Sequence, residues 1–287
     1  MEQATIAIIG GSGLYEMEGL SNVREVKPKT PFGDPSDAIV IGNRGGASVA
    51  FLPRHGKGHR LMPTEVPSRA NIYALKMLGV ERVISVNAVG SLKEEIHPLD
   101  LVVPDQVIDR TRQRANTFFG DGLVAHVGFA DPFCPGLSEA LVATARESGA
   151  RVHQGGVSVV MEGPAFSTKA ESFLYRSWGA SVIGMTVLPE AKLAREAEMC
   201  YASLSCATDY DCWHEAHESV TVEMIISNLL KNVATSKDIL RRVIPKLNVE
   251  RRCACPHALK DAIVTSRDAI SPAAKQRLSH LIGKYIS

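Results

Sequence analysis

The chain lacks any excess of charge of one sign. Lys plus Arg number 32 and Asp plus Glu 31, a formal net charge of +1, and no basic block is long enough to attract nucleic acid or an acidic membrane surface. No apolar run approaches the roughly 20 residues needed to cross a bilayer. The N-terminus reaches a strand-like run almost at once, without the basic segment, apolar core and small-residue cleavage site of a secretory leader, so none is expected. The 6 cysteines are spread through a chain of 287 residues whose core needs no covalent staples, which points to a reducing, cytoplasmic compartment. Only Cys253 and Cys255, in RRCACPH, are neighbours. Their spacing is too tight for a zinc knuckle and His257 would add at best a third ligand, so they read as surface or exchangeable thiols and no metal is expected. Internal repeats, low-complexity segments and linkers are likewise missing. With 45% hydrophobic residues, the composition suits a globular protein that takes a small neutral or anionic ligand.

Runs rich in Val and Ile alternate with helical patterns along most of the chain. Strands are expected over Thr5–Ile9, Ala38–Ile41, Val49–Leu52, Arg82–Val86, Leu101–Val103, Val157–Met161, Val182–Met185 and Leu204–Ala207. Several are apolar throughout, as strands covered on both faces are. Helices are expected over Pro67–Leu78, Leu137–Ser148, Ala170–Trp178, Pro189–Met199 and Val222–Val243. This alternation argues for an α/β fold, a single domain over 1–287 with a central mixed β-sheet flanked by helices. The stretch from about Asn248 onward is more polar and reads as a helical extension, a helix pair packed on the main body.

Three strand ends carry chemistry. The strand at Thr5–Ile9 stops in GGSGLY. A dinucleotide fingerprint would need a third glycine where Glu16 stands, and a P-loop would need a Lys-Ser/Thr pair that does not follow. What remains is either an anion nest, with backbone N–H groups turned inward and a hydroxyl from Ser12, or an ordinary tight turn. The strand ending FLPRHGKGH places Arg54 beside His55, where a planar guanidinium fork suits phosphate and the imidazole adds a donor; a solvated basic loop is the alternative. In VISVNAVGSL, Asn87 and Ala88 sit where open α/β sheets place their ligands, at a strand's C-terminal end.

GGSGLY, RHGKGH, NAVGSL, MEGPAFSTKAES, GMTVLPEAKLAREAEMCYA and ATDYDCWH, in this order and spacing over roughly Thr5 to Val243, resemble the purine nucleoside phosphorylase family of trimeric enzymes. The CxC around Cys253 is also similar to members of this branch. The resemblance implies phosphorolysis, in which inorganic phosphate attacks the anomeric carbon of a nucleoside and the purine leaves. It implies no metal or organic cofactor, with phosphate as co-substrate. Ser12, Arg54, His55, Asn87, Ala88 and Thr186 would surround phosphate, although family members often carry Ser or Thr at the position of Asn87. Met185 would pack under the sugar; Phe166 and Ser167 would shape the base pocket, Ser167 and Thr168 serving equally as a helix N-cap.

Asp209, supported by Asp211, would accept from the exocyclic amine of a 6-aminopurine or donate to N7 as the base departs. Relatives that prefer 6-oxopurines carry Asn at the position of Asp209, so the aspartates point to adenine. Val222 matches a position near the 5′ substituent, where an apolar side chain favours methylthio over hydroxyl. His126 resembles a residue that covers that end of the substrate in a neighbouring subunit, which makes a homotrimer, or a pair of trimers, part of the site. The substrate implied is a methylthio-substituted adenine nucleoside. A 6-oxopurine nucleoside or methylthioinosine is the alternative, and a nucleoside hydrolase or a non-catalytic nucleoside-binding protein stands further off.

Overall fold

The computed structural model describes residues 3–11, 14, 19–214 and 222–286, and not the side chains of residues 222, 224, 225 and 229. The first strand, β1 (Ile6–Gly10), is buried at every position. Its side chains alternate between two cores, Ile6 and Ile8 in one and Ala7 and Ile9 in the other, so an all-apolar strand has to lie inside a sheet covered on both faces. The elements that follow are β2 (Ser21–Val26), β3 (Ile39–Arg44), β4 (Ala47–Pro53), α1 (Ser68–Met77), β5 (Arg82–Ser91), β6 (Leu101–Val103) and β7 (Gln106–Arg110). Next come α2 (Pro135–Glu147), β8 (Val152–Gln154), β9 (Val157–Met161), α3 (Lys169–Ser177), β10 (Val182–Gly184), α4 (Val187–Glu196), β11 (Cys200–Asp209) and α5 (Val222–Lys246). Two short helices, α6 (Pro272–Arg277) and α7 (Ser279–Ile286), end the chain.

The strands form one mixed sheet in the order β2-β3-β4-β1-β5-β10-β9-β7, with β11 also paired to β5 and continuing through β6 to β8. The ten-residue β5 is the branch point. It runs parallel to β1 on one side and to β11 on the other, and its last residues pair antiparallel with β10. One core lies between the sheet and α1, α4 and α7, through Ile72, Leu75, Ala191, Ala194 and Ile282. The other lies under α2 and α5, through Leu137, Leu141, Leu240 and Val243. The α/β class and the helix-flanked mixed sheet are as the alternating pattern implies.

Three strands escape the sequence pattern. β2, β7 and β8 read SNVREV, QVIDR and VHQ and are exposed or half-buried along their length, so they carry no apolar signature and are held by pairing at the sheet's margins. β11 starts four residues before Leu204, because Cys200 already pairs with Arg82 at the start of β5. The helix expected from Pro189 is entered two residues earlier, but Leu188 is extended, at φ −110° and ψ 140°, so regular turns do start at Pro189, whose fixed φ suits that position.

The thiols of the CxC are not on the surface. Cys255 is buried and Cys253 half-buried, whereas His257 is exposed. Cys134, at the N-cap position of α2, and Cys200 at the start of β11 join them, the four sulfurs lying within 4.8 Å of one another. A search for cysteine neighbours along the sequence misses this set, because two of its members come from distant strand and helix ends.

Candidate active site

Because β1, β4, β5 and β11 are parallel neighbours, their C-terminal ends open on one edge of the sheet. Arg54 follows β4, Asn87 and Ala88 lie in the second half of β5, and Asp209 closes β11. β10 enters from the opposite direction and delivers Met185 and Thr186 to the same edge, where the Thr186 hydroxyl donates to Asn87 Oδ1 at 2.6 Å. Ala88 is exposed in a strand otherwise almost wholly buried, so the sheet is open above it. Arg54, His55, Asn87, Ala88, Met185, Thr186, Asp209 and Asp211 are therefore gathered along one rim.

A polar ladder runs beneath this rim. Val83, Ser85 and Asn87 alternate onto one face of β5, and Tyr201, Ser203 and Ser205 stand beside them in register on β11. Asn87 Nδ2 donates to Ser203 Oγ at 2.8 Å, which lies 2.9 Å from Ser205 Oγ. The ladder ends at a buried ion pair that the motifs do not reveal. Arg54 donates through Nε to Glu190 Oε1 at 2.5 Å and through Nη2 to Ser85 Oγ at 2.6 Å, and Nη1 donates to the carbonyl of Val86 at 3.1 Å. Both partners of the pair are almost fully buried, and Tyr201 donates to the same carboxylate at 3.1 Å. Arg54 is thus not a loose fork but a charge fixed in place, largely balanced by Glu190, with Nη1 the nitrogen least committed to that balance. Glu190 escapes notice in the sequence because an acid in a helix's first turn reads as a partner for the helix dipole.

His55 is also rearranged relative to expectation. Its Nδ1 lies 2.8 Å from the carbonyl of Leu61, which makes Nδ1–H the donor and leaves Nε2 as an acceptor. Burial, with Arg54 alongside, holds its pKa down to about 4. Near neutral pH the imidazole is accordingly uncharged and its Nε2 is an acceptor, the reverse of the donor that the RHGKGH motif suggests.

Arg114, also missed, staples the segment that follows β10 to the end of β9. It donates to the carbonyls of Met185, Leu188 (2.7 Å) and Glu162 (2.6 Å) and pairs with the Glu162 carboxylate at 3.2 Å. Met185 packs over Gly163, where an added Cβ would come within 2.5 Å of the Met185 sulfur at a φ of +71°. Arg54, Arg114, Met185 and Thr186 share a small pocket of about 10 Å³. A larger cleft of about 280 Å³ adjoins it past Val66, Ser68 and Pro189, beside Phe32 and Gln113.

At the other end of the rim, Asp209 is 7% exposed. Its Oδ1 accepts from the backbone N–H of Asp211 and its Oδ2 from the Thr208 hydroxyl, each at 2.7 Å. Burial still pushes its carboxyl above the usual carboxylate range against those bonds. Asp211 is raised by burial as well, and by the charge of Asp209. Gly90 makes room for both: a Cβ there would lie 3.0 Å from Asp209 Oδ1 and 3.2 Å from Asp211 Cβ.

The remaining expected residues are less concentrated. Ser167 is half-buried, its carbonyl accepting from the Cys212 thiol at 3.3 Å; Thr168, not Ser167, forms the N-cap of α3, in a capping box with Glu171. Phe166 is 56% exposed and makes no wall within this one chain. His126 is exposed on a segment whose backbone bonds the carbonyl of Ala262 at 2.9 Å. Ser12 lies outside the described residues. Val222 begins α5, with its side chain outside the description.

A rim that carries a fixed guanidinium, a threonine hydroxyl and an uncovered stretch of strand at one end, and at the other a buried carboxyl raised above the usual carboxylate range, suits group transfer between an anion and a leaving group that takes up a proton. The chain belongs to the Phosphorylase superfamily, which residues 5–245 match. It is 59% identical to the S-methyl-5′-thioadenosine phosphorylase of Geobacter sulfurreducens over 287 residues, covering all of both chains. Among solved structures it is similar to a methylthioadenosine phosphorylase from an Antarctic soil metagenomic library, at a TM-score of 0.94 and 50% identity over 98% of this chain and 99% of that one. The methylthioadenosine phosphorylase of Schistosoma mansoni in complex with adenine superposes at a TM-score of 0.83 and 38% identity, over 90% of this chain and 96% of the other.

Proposed function

We propose that this protein is a pentosyltransferase that cleaves 5′-methylthioadenosine with inorganic phosphate, yielding adenine and 5-methylthioribose 1-phosphate for purine and methionine salvage. The observation that carries the reading is the 59% identity, end to end, with a phosphorylase of that name.

The roles follow from the chemistry. Phosphate sits over Ala88 and beside Asn87, whose two amide N–H groups are spent on Ser203 and the Ser85 carbonyl; it receives donors from Ser12, from Nη1 of Arg54 and from the Thr186 hydroxyl once that turns from Asn87 Oδ1 to the ligand, while a protonated phosphate oxygen donates to His55 Nε2. Arg54 is supported in this role by being immobile: a preoriented charge needs no reorganisation as the bond to the anomeric carbon forms. Met185, held by Arg114 and Gly163, packs under a sugar that gains oxocarbenium character, with Phe166 and Ser167 toward the base and Val222 toward the methylthio group. Asp209, its carboxyl raised by burial, accepts from the exocyclic amine or, when protonated, gives its proton to N7 of the departing adenine, and Asp211 keeps it oriented through the backbone N–H bond. Phosphate is the co-substrate, and no metal or organic cofactor enters this chemistry.

The active form is a homotrimer in which His126 closes the 5′ end of a neighbour's substrate. Support comes from the apolar side chains left uncovered in one chain: Phe173, Leu174 and Trp178 on and after α3, next to Phe166, and Val124 and Val264 beside His126. Patches of this kind mark interfaces. No helix among the described residues is long and apolar enough to cross a membrane, and with free cysteines the cytoplasm is the compartment proposed.

Purified protein given 5′-methylthioadenosine should release adenine, followed by ultraviolet absorbance, only when phosphate is added. Equal turnover in phosphate-free buffer would make it a hydrolase, and a higher kcat/KM for methylthioinosine would move it to the 6-oxopurine class.

A further inference from the structure

The four cysteines at the far edge of the sheet have no part in that reaction. Cys200 opens β11 and Asp209 ends it, so the thiols and the rim lie at opposite ends of the same strand. We propose that Cys134, Cys200, Cys253 and Cys255 hold one structural Zn²⁺ as a tetrathiolate that ties the C-terminal segment to the sheet and to α2.

The geometry fits a shared ion. A zinc–sulfur bond of about 2.3 Å places tetrahedral sulfurs about 3.8 Å apart, and these four lie within 4.8 Å of one another, with Cys200 and Cys253 at 3.4 Å. All four belong to one group, three of them buried and the fourth half-buried. An all-sulfur tetrahedral set selects zinc over the hard, oxygen-seeking cations. No sulfur is left over for an open coordination position, as in structural rather than catalytic sites.

The surroundings hold the ligands and accept the charge. The backbone N–H of Cys134 is fixed on the carbonyl of Tyr201 at 2.8 Å and that of Cys200 on Glu81 at 2.9 Å. Cys134 stands at the N-cap position of the 13-residue α2, whose N-terminal partial positive charge favours a thiolate. Arg251 bonds the carbonyls of Glu81 and Glu198, and Arg82 that of Val249, so the chain leading into the CxC is already docked on the same edge. Binding displaces four thiol protons to solvent, and the ion with four thiolates carries a net charge of −2. No electron is transferred. The CxC supplies two ligands from one turn, and the other two come from the sheet and the helix beneath it, so the ion clips residues 253–255 to the core.

The test is metal content of the full-length protein, expressed with zinc in the medium and purified without chelator under reducing conditions. About one zinc per chain is expected by mass spectrometry of the metal, retained in Cys212→Ser, whose thiol lies outside the cluster, and lost in Cys253→Ser/Cys255→Ser. Exchange into Co²⁺ should give the intense visible bands of a tetrahedral tetrathiolate in the unmutated protein, a readout that does not depend on a variant folding. Two outcomes overturn the proposal: zinc bound equally by the double variant, or metal-free protein in which only Cys206 and Cys212 react with a thiol reagent after non-reducing denaturation. The second result would mean that the cluster closes as disulfides.

Discussion

Replacing Asp209 with Asn tests the leaving-group end of the site with little disturbance to its frame. The carboxyl has two close partners, the N–H of Asp211 and the hydroxyl of Thr208, each at 2.7 Å. An amide can satisfy both. Its oxygen accepts from Asp211, and its NH₂ donates to Thr208, whose hydroxyl then turns to the carbonyl of Val89, 3.3 Å away. Folding should be nearly unchanged, with a melting temperature within a few degrees of the parent. What Asn cannot do is give up a proton or carry a negative charge. A positioned general acid contributes roughly 10²–10⁴ in rate, so kcat/KM for 5′-methylthioadenosine should fall by about 10²–10³, equivalent to about 3–4 kcal/mol at 1.36 kcal/mol per tenfold. Because an amide can donate to a 6-oxo group, the fall with methylthioinosine should be smaller and the substrate preference should narrow. The assay is initial-rate phosphorolysis at saturating phosphate with both nucleosides. A variant that folds normally and keeps kcat/KM within threefold of the parent would remove Asp209 from the chemistry.

Other perturbations address the frame. Glu190→Gln leaves Arg54 buried without its counter-charge, and breaking a buried pair in this way costs about 3–5 kcal/mol; urea denaturation showing less than 1 kcal/mol would mean that Arg54 is balanced by something else. Gly90→Ala pushes a methyl to 3.0 Å from Asp209 Oδ1 and 3.3 Å from Ile183 Cγ2, so kcat/KM should drop roughly tenfold through misplacement of the carboxyl, with secondary structure by circular dichroism unaltered. Glu196 is buried against Thr117 and the N–H of Phe118, and burial raises its pKa to about 7. The folded protein then holds a proton there that the unfolded chain releases above about pH 4.5, so this group's stabilisation is present at low pH and is lost as pH rises from about 4.5 to 7. Glu196→Gln mimics the protonated form and should match the parent near pH 5 while exceeding it by up to about 3 kcal/mol near pH 8. Stability lost from His55 as pH falls from 6.5 toward about 4 is common to both proteins and cancels in the comparison, so a pH-independent difference between them would refute the assignment.

The apolar periodicity by itself determined the architecture. Strands such as Ile6–Gly10 and Cys200–Asp209 are buried on both faces, and only a helix-covered sheet can hide residues of both parities, so the α/β class was legible without coordinates. Edge strands such as Gln106–Arg110 were not, because pairing rather than burial holds them and their side chains carry no pattern. The strand-end motifs likewise marked Arg54 and Asn87 as neighbours, since parallel strands present their C-terminal ends on one edge; Thr186, which β10 brings in from the opposite direction, and Asp209 came from the family resemblance instead.

What each of those side chains is free to do was decided only by tertiary contacts. Arg54 meets Glu190 across 136 positions of chain, and this pairing changes an available fork into a fixed, nearly neutral unit. Leu61 selects the tautomer of His55 and with it an acceptor in place of a donor. Cys134 and Cys200 join the CxC from the start of α2 and the start of β11. Periodicity reports which face of an element is hidden from water, a local property carried by every few residues. The partner of a buried charge or thiol depends on how distant elements dock, and that information is written nowhere along the chain.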